Sequence, residues 1–324
     1  MKKKRILSIG IPTFNRENEL KVCLESILGQ IDGYEDMVEI VISDNASTDN
    51  TKAVIKGIAS LWRKVKIIYH CNNENRGPDF NILKCISLSS GEYIQLLSDD
   101  DILLPGAIHY ILSIIAGEKP DYIYLNFGFL DKYRIRRKDY MNGILAQFKE
   151  SDSKGYHNKD MFLDYVGIYI TVLSAMIYRS ELVKAIPNKE KLIGTRFIQS
   201  HLALLIISNA RKIFFASKCC VIIRDANSGG FNLFDVWIKS YKKLILKTAV
   251  ESGFDKKICQ RVFKRSCQNE ISSMIYYIRS NNIGFGLRNR KTVILYTWMY
   301  PTLWKYLYPA TFLPLDILDI IQMV

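Results

Sequence analysis

Ser98-Asp99-Asp100-Asp101 places three adjacent carboxylates between an apolar run, Tyr93–Leu97, and the segment Ile102-Leu103-Leu104-Pro105. Like charges at the end of a strand repel one another, and a divalent cation removes that penalty. Hard Mg²⁺ or Mn²⁺ takes a few carboxylate oxygens and completes its shell with the phosphate oxygens of a substrate. The competing explanation is a solvated acidic turn in which Asp101 caps the next helix. A second polar cluster, Asp44-Asn45-Ala46-Ser47-Thr48-Asp49, also follows an apolar run. Asp44 can accept hydrogen bonds from a nucleobase edge or a ribose hydroxyl. It can equally close an Asx turn, with Ser47 or Thr48 opening a helix. Both can hold, since Asp49 can cap while Asp44 binds. A third polar segment ends the first run, Gly10-Ile11-Pro12-Thr13-Phe14-Asn15. It lacks the G-x-G-x-x-G spacing that cradles a pyrophosphate, which argues against a nicotinamide enzyme.

The elements that must position these clusters alternate regularly over the first 130 residues. β-rich runs at Ile6–Ile11, Val38–Ser43, Val65–Tyr69, Tyr93–Leu97 and Tyr122–Phe129 are separated by segments of helical spacing, such as Leu20, Cys23, Leu24, Ile27 and Leu28. Nearly continuous apolar strands between helices predict a mostly parallel sheet covered on both faces. Ligands of such sheets bind at the carboxyl ends of the strands. The polar clusters fall there: Thr13–Asn15, Asp44-Asn45, Asn72–Asn81 and Ser98–Asp101. From Asp131 to Lys159 the pattern breaks into a charged, Tyr- and Lys-rich excursion. Structure resumes with Thr171–Tyr178, a helix near Phe197–Ser208 and an apolar run at Ile213–Ile223, and beyond Phe231 the chain reads as helices. Pro301, Pro309 and Pro314 cut the aromatic stretch Thr292–Val324 into short pieces.

The same landmarks resemble the nucleotide-sugar glycosyltransferases of family 2, which have the GT-A fold. The match is carried by Ile11-Pro12-Thr13-Phe14-Asn15-Arg16, Ile42-Ser43-Asp44-Asn45-Ala46-Ser47-Thr48-Asp49, Asn75-Arg76-Gly77-Pro78-Asp79-Phe80-Asn81, and Gly91-Glu92-Tyr93 leading to Ser98-Asp99-Asp100-Asp101. Order and spacing agree over about residues 5–110. Within the family, the Gly-Pro-Asp-x-Asn segment and the Ser-Asp-Asp form of the acidic motif are similar to abequosyltransferase-like enzymes of bacterial O-antigen assembly. The resemblance implies a GT-A domain over residues 1–230, with a nucleotide-sugar half (1–130) and an acceptor half (131–230). A basic, aromatic-rich helical region would follow at 231–324.

The implied activity is transfer of a hexosyl or deoxyhexosyl group from a nucleoside-diphosphate sugar to a hydroxyl of a growing, lipid-linked surface polysaccharide, O-antigen or capsule. By position, Pro12, Thr13 and Asn15 lie against the nucleotide, Asp44 with Asn45 reads the base, and Asp79 and Asn81 line the base and ribose pocket. The family's Asp-x-Asp falls on Ser98-Asp99-Asp100. Asp100 is then the principal ligand of Mn²⁺ or Mg²⁺, Asp99 lies near the ribose and sugar, and Ser98 replaces the first carboxylate. Inverting members take the acceptor proton on a carboxylate at a helix start. Here that position is Gln199, which cannot act as a base, whereas His201, two residues on, has an ordinary pKa of about 6.5 suited to the task. A remote carboxylate such as Asp164, or a retaining reaction without such a base, are the alternatives.

Composition supplies the remaining bounds. The chain has 324 residues, 48% hydrophobic, and a net charge of +13, which excludes a disordered chain. Seven scattered cysteines without a CxxC pair indicate neither a disulfide framework nor a zinc site and suit a reducing cytoplasmic compartment. Residues 1–120 carry a net −2 and residues 121–324 a net +15. The basic, aromatic C-terminal region is expected to meet an anionic membrane surface from its cytoplasmic side rather than nucleic acid, the alternatives being a solvated helix face for its basic residues and a buried core or dimer contact for its aromatics. Arg224 is a candidate phosphate contact, and Asn227-Ser228-Gly229-Gly230 a candidate lid or a plain turn. His70, His109 and His157 are read as structural or surface residues. Two other functions compete. A sugar nucleotidyltransferase would need a Gly-rich, Arg- or Lys-bearing loop after the first strand, and none is present. A non-enzymatic basic scaffold for membrane or nucleic acid would leave Asp44 and Asp99–Asp101 unexplained.

Overall fold

The computed structural model describes residues 5–129, 145–149, 154–224, 232, 234–280 and 285–322. The chain groups into two compact units, one of Met1–Lys159 with Val172–Ser228, the other of Asp160–Thr171 with Gly229–Val324.

The first unit is built on one mixed sheet. Its strands are β1 (Leu7–Thr13), β2 (Val38–Asp44), β3 (Lys66–Cys71), β4 (Tyr93–Leu96), β5 (Ile102–Leu103), β6 (Tyr122–Phe129), β7 (Leu145–Ala146), β8 (Lys154–Tyr156), β9 (Met176–Arg179) and β10 (Ile213–Ile223). They lie in the order β3-β2-β1-β4-β9-β6-β10-β5, with β7 on β6 and β8 on β10. β3, β2, β1 and β4 run parallel, as do β6 and β10, and β9 is antiparallel to both its neighbours. The expected strands are therefore present with ends moved by a residue or two. β9 is the difference: part of the stretch from Thr171 forms tight 3₁₀ turns, and Met176–Arg179 then threads between β4 and β6.

The helices of this unit are α1 (Glu17–Leu28), α2 (Thr51–Leu61), α3 (Pro78–Leu88), α4 (Ala107–Glu118), α6 (Ser180–Ala185) and α7 (Ile198–Ile207), while α5 (Lys159–Val166) lies almost wholly in the second unit. α1 buries Leu20, Cys23, Leu24, Ile27 and Leu28, the stripe its spacing predicts. Every residue of β2 is buried, as a strand covered on both faces requires. That burial includes Glu39, whose carboxylate accepts hydrogen bonds from Ser8 Oγ (2.7 Å), Ser90 N (2.6 Å) and Lys66 Nζ (2.6 Å). Next to this cluster Gly91 approaches β1 so closely that a Cβ would lie 2.7 Å from Ser8 N, a contact only glycine avoids.

The second unit is helical. It contains α5, α8 (Tyr241–Lys243) between π-helical turns at Asp235–Ser240 and Leu244–Ala249, α9 (Lys256–Ser266), α10 (Ser272–Ser280), α11 (Leu287–Thr297), α12 (Pro301–Phe312) and α13 (Leu315–Gln322). Asp255 caps α9 by accepting from Ile258 N at 2.9 Å. Pro301 opens α12, where its missing N–H costs nothing. Pro309, expected to end a piece of the chain, is instead carried inside α12, where it forgoes the hydrogen bond that an N–H there would make to the Lys305 carbonyl.

Candidate functional site

β1 lies between β2 and β4, and all three run parallel, so their C-terminal loops emerge side by side. Thr13 is in register with Asp44, Asn45 N donates to Thr13 O (2.9 Å), and Leu97 N donates to Gly10 O (2.9 Å). The polar clusters after the first, second and fourth strands thus meet at one edge.

The loop after β1 turns at Asn15, whose φ of +50° is a left-handed conformation that asparagine tolerates. Its Oδ1 accepts from Thr48 N (2.7 Å) and its backbone N donates to Ser47 Oγ (2.9 Å), which fastens the β1 loop to the β2 loop. Asp49 accepts from Glu17 N (3.1 Å) and Thr51 N (3.0 Å), serving the first turns of α1 and α2 together. Asp44 is buried and closes its turn by accepting from Ser47 N (2.9 Å), while its other oxygen accepts from the Tyr69 hydroxyl (2.8 Å). Burial, then the Asp44 carboxylate, push the Tyr69 phenol up, so it remains a donor. Asn45 accepts from Asn72 Nδ2 and Arg76 N, both at 3.0 Å, and donates to Asn75 Oδ1 (2.7 Å).

Two residues expected in a nucleotide pocket do other work. The Asn81 amide donates to Ser43 O (2.8 Å) and Thr13 O (3.2 Å), and its Oδ1 accepts from Ser43 Oγ (2.6 Å). It is a buried clamp between the ends of β1 and β2, because α3 starts directly over them. Asp79 is also buried and accepts from Gly194 N (2.7 Å) and Arg196 N (3.0 Å), the turn that leads into α7. Burial raises its pKa despite those bonds.

The three carboxylates after β4 do not point at one spot. Asp101 accepts from Ser174 Oγ (2.5 Å) and Arg224 N (3.1 Å), and α4 begins at Ala107 behind Gly106, so Asp101 caps nothing. Burial, then the adjacent Asp100, push Asp101 up to about 7. Ser98 Oγ donates to Asp100 Oδ1 (2.6 Å). Asp99 and Asp100 share the Arg16 guanidinium, whose Nη1 lies 3.0 Å from Asp99 Oδ1 and 2.5 Å from Asp100 Oδ2. Burial pushes Asp99 up to about 6, with Arg16 and then the Thr13 hydroxyl pulling the other way. Arg16 belongs to the quoted motif, yet no role was read for it. The signal available was a cation directly after the first polar loop, although Glu17 and Glu19 beside it suggest a local partner rather than one 83 residues away.

Arg224 donates through Nε to the Asp100 carbonyl and through Nη2 to Glu19 O (3.2 Å), so its head group ties loops together. The glycine segment 227–230 lies outside the described residues, as does most of the excursion from Asp131. His201 is 2% exposed and Gln199 is buried too, with its carbonyl accepting from the Tyr178 hydroxyl (2.9 Å). As placed, α7 therefore offers no solvent-facing base at either position. Asp164 belongs to the second unit, paired with Arg261 (2.5 Å) and Arg265 (3.3 Å). His70 meets Asn72, His109 meets Tyr34, and His157 meets the Arg211 carbonyl.

The donor set at the edge consists of hard oxygens from two neighbouring carboxylates that already share one cation. That fits Mn²⁺ or Mg²⁺ held by one or two carboxylates and completed by substrate phosphates. Among the described residues no three His, Cys, Asp or Glu side chains form a cage for a metal by themselves.

Residues 8–186 match the family model of glycosyl transferase family 2. The chain is 36% identical over 121 residues to the abequosyltransferase RfbV of Salmonella typhimurium, covering 36% of this chain and 35% of that protein. It is 35% identical over 107 residues to the GalNAc(5)-diNAcBac-PP-undecaprenol beta-1,3-glucosyltransferase of Campylobacter jejuni, covering 33% of each. The matches thus span about a third of the length of these curated relatives. In fold, the chain is similar to S. aureus TarS 1-349 in complex with UDP-GlcNAc, with a TM-score of 0.65 at 15% identity over 92% of this chain and 81% of that one. It is also similar to the mannosyltransferase PcManGT of Pyrobaculum calidifontis in complex with GDP-Man and Mn²⁺, with a TM-score of 0.53 at 14% identity over 94% and 85%. The expected GT-A architecture is the one observed.

Proposed function

The chain belongs to glycosyl transferase family 2, and from that premise we propose that it moves a hexosyl or deoxyhexosyl group from a nucleoside-diphosphate sugar to a hydroxyl of a growing, lipid-linked O-antigen or capsule polysaccharide. The observation that carries the reading is the meeting of the Thr13, Asp44 and Asp99-Asp100 loops at the shared end of β2, β1 and β4. The relatives named above are an abequosyltransferase and a glucosyltransferase, the second named for an undecaprenol-linked saccharide, which supports the acceptor class.

In this reading the nucleotide lies along Pro12–Asn15. Asp44 and Asn45 present their remaining acceptor and donor capacity to the base, held rigid by Ser47, Tyr69 and Asn72. Asp100, with Asp99 beside it, would hold a Mn²⁺ or Mg²⁺ ion that offsets the charge gathering on the departing diphosphate. The bond between the anomeric carbon and the diphosphate oxygen breaks, its electron pair leaves with the diphosphate, and the acceptor hydroxyl oxygen bonds to the carbon while its proton passes to water or to the departing diphosphate. Arg16, which holds Asp99 and Asp100 in this structure, would supply a second positive charge to the diphosphate once a metal takes its place on them. Asp79 and Asn81 act one step removed, fixing the turn before α7 and the ends of β1 and β2. No described helix is long and apolar enough to cross a membrane, and the protein is proposed to work peripherally on the cytoplasmic face.

The test is calorimetric titration of UDP, CDP, GDP and dTDP, each with and without Mn²⁺, into wild type and Asp100→Ala. One nucleotide should bind more tightly with Mn²⁺, and the variant should lose that gain while keeping its circular dichroism. Binding of none of the four, or an undiminished metal effect in the variant, would overturn the assignment.

A further inference from the structure

The second unit turns one helix inside out. On α11 the residues facing inward include Asn289 and Thr297 beside Val293, four residues apart along one side of the helix. The other side presents Leu287 (75% exposed), Ile294 and Leu295 (66%) to solvent, continued past the helix end by Trp298 (56%) and Met299 (66%), with Trp304 and Tyr306 of α12 exposed further on. Burial of leucine is favourable and burial of asparagine is not, so an isolated helix of this sequence would settle the other way round. The inward polar groups are satisfied: Thr297 Oγ1 donates to Val293 O (2.6 Å), and Asn289 Oδ1 accepts from Asn232 Nδ2 (3.2 Å). The outward apolar side remains to be accounted for.

Charge says what covers it. Between Glu270 and Asp316 there is no acidic residue, while Arg279, Arg288, Arg290, Lys291 and Lys305 all fall within that stretch. Arg279 is spent inside, on the carbonyls of Ala310 and Leu313 (both 2.5 Å), and Arg290 lies over the Phe285 and Phe312 rings. Lys291 and Lys305 are exposed among the apolar residues, as is Arg288, which pairs with Asp235 (3.3 Å). A second copy of this face would bring the same cations together about a two-fold axis. A phospholipid surface answers both properties at once, taking the indoles and leucines at the acyl boundary while lysines extend to anionic head groups.

We propose that the exposed side of α11 and the adjoining start of α12 form the face by which this protein docks on an anionic lipid bilayer. This deepens the peripheral-membrane part of the function proposed above and rests on it. It specifies the residues: Leu287, Leu295, Trp298 and Met299 enter the interface, and Lys291 and Lys305 meet the head groups.

The full chain would be sedimented with vesicles of phosphatidylcholine alone and of equal parts phosphatidylcholine and phosphatidylglycerol. Wild type should pellet with the anionic vesicles and far less with the neutral ones. The Leu295→Ser/Trp298→Ser/Met299→Ser variant should partition at least about tenfold more weakly, since each lost apolar contact alone is worth about that factor. Should that variant misfold by circular dichroism, Lys291→Glu/Lys305→Glu, altered only at exposed positions, carries the test and should also lose anionic pelleting. Equal pelleting of wild type and variants, or of wild type with both vesicle types, overturns the proposal. So does a wild type that stays in the supernatant and sediments as a dimer that the triple variant abolishes. Nucleotide binding measured on the same samples separates the two ideas. Binding without pelleting removes the docking face and leaves the transferase, whereas pelleting without binding does the reverse.

Discussion

Replacing Arg16 by glutamine removes the only cation, among the described residues, that Asp99 and Asp100 share. Its guanidinium is about one-fifth exposed (21%), while the two carboxylate side chains retain 6% and 11% of their exposure. Asp99 is already pushed up to about 6 by burial with Arg16 present, so without it the proton is held more firmly still. Two hydrogen bonds to charged groups are lost, each worth about 1.5–3 kcal/mol. Protonation of Asp99 recovers part of that, because a neutral carboxyl can donate to its neighbour. A net loss of about 2 kcal/mol remains, which for a unit of roughly 200 residues lowers the melting temperature by about 4–8 °C. A divalent cation placed on the same two carboxylates should restore the variant more than it stabilises wild type, where it must displace the guanidinium. The assay is a pair of melting curves by circular dichroism, each with and without Mn²⁺. An unchanged melting temperature in Arg16→Gln would show that the bridge contributes nothing. An equal gain from Mn²⁺ in both proteins would show that guanidinium and metal do not share a site.

Two further outcomes follow from buried groups behind the site. At Glu39 burial pushes the carboxyl up, but the bonds from Lys66, Ser8 and Ser90 outweigh it and its pKa ends below 4.5. The stability that this group supplies is therefore present above pH 4.5 and lost as the pH falls through the depressed value. Glu39→Gln should cost about 2 kcal/mol at pH 7, and denaturant titrations across pH should show the gap to wild type closing in acid; a gap independent of pH would refute the ionic account. Asn81→Leu keeps the volume but leaves the Ser43 carbonyl without its side-chain donor, so a loss of about 3 kcal/mol in denaturant unfolding is expected. Wild-type stability in that variant would remove Asn81 from the clamp.

What could be read from the sequence and what could not divide along a physical line. β1, β2, β4 and β6 announce themselves because strands covered on both faces must be apolar at consecutive positions, and α1 does so because one side of a helix must be apolar at every third or fourth. Strand β9 carries four residues of no special pattern, and its place between β4 and β6 is decided by pairing with partners that lie far along the chain. The polar loops were legible in position, since strand ends in a parallel sheet share an edge, but not in direction. Asp101 looks like one of three equal carboxylates until Ser174, 73 residues on, and Arg224, 123 residues on, claim both its oxygens. Arg16 looks like an exposed cation until a loop 83 residues away brings Asp99 to it. The acidic cluster therefore contains two functions that its spelling does not separate. Asp101 fastens the loop to Ser174 and Arg224, and only because it does so are Asp99 and Asp100 left as a pair that needs a cation. A pair bridged by a resident arginine can stay folded without metal. On the proposed function it would also accept a divalent cation in exchange for the arginine, and that exchange is what the Arg16→Gln melting curves with and without Mn²⁺ are designed to expose.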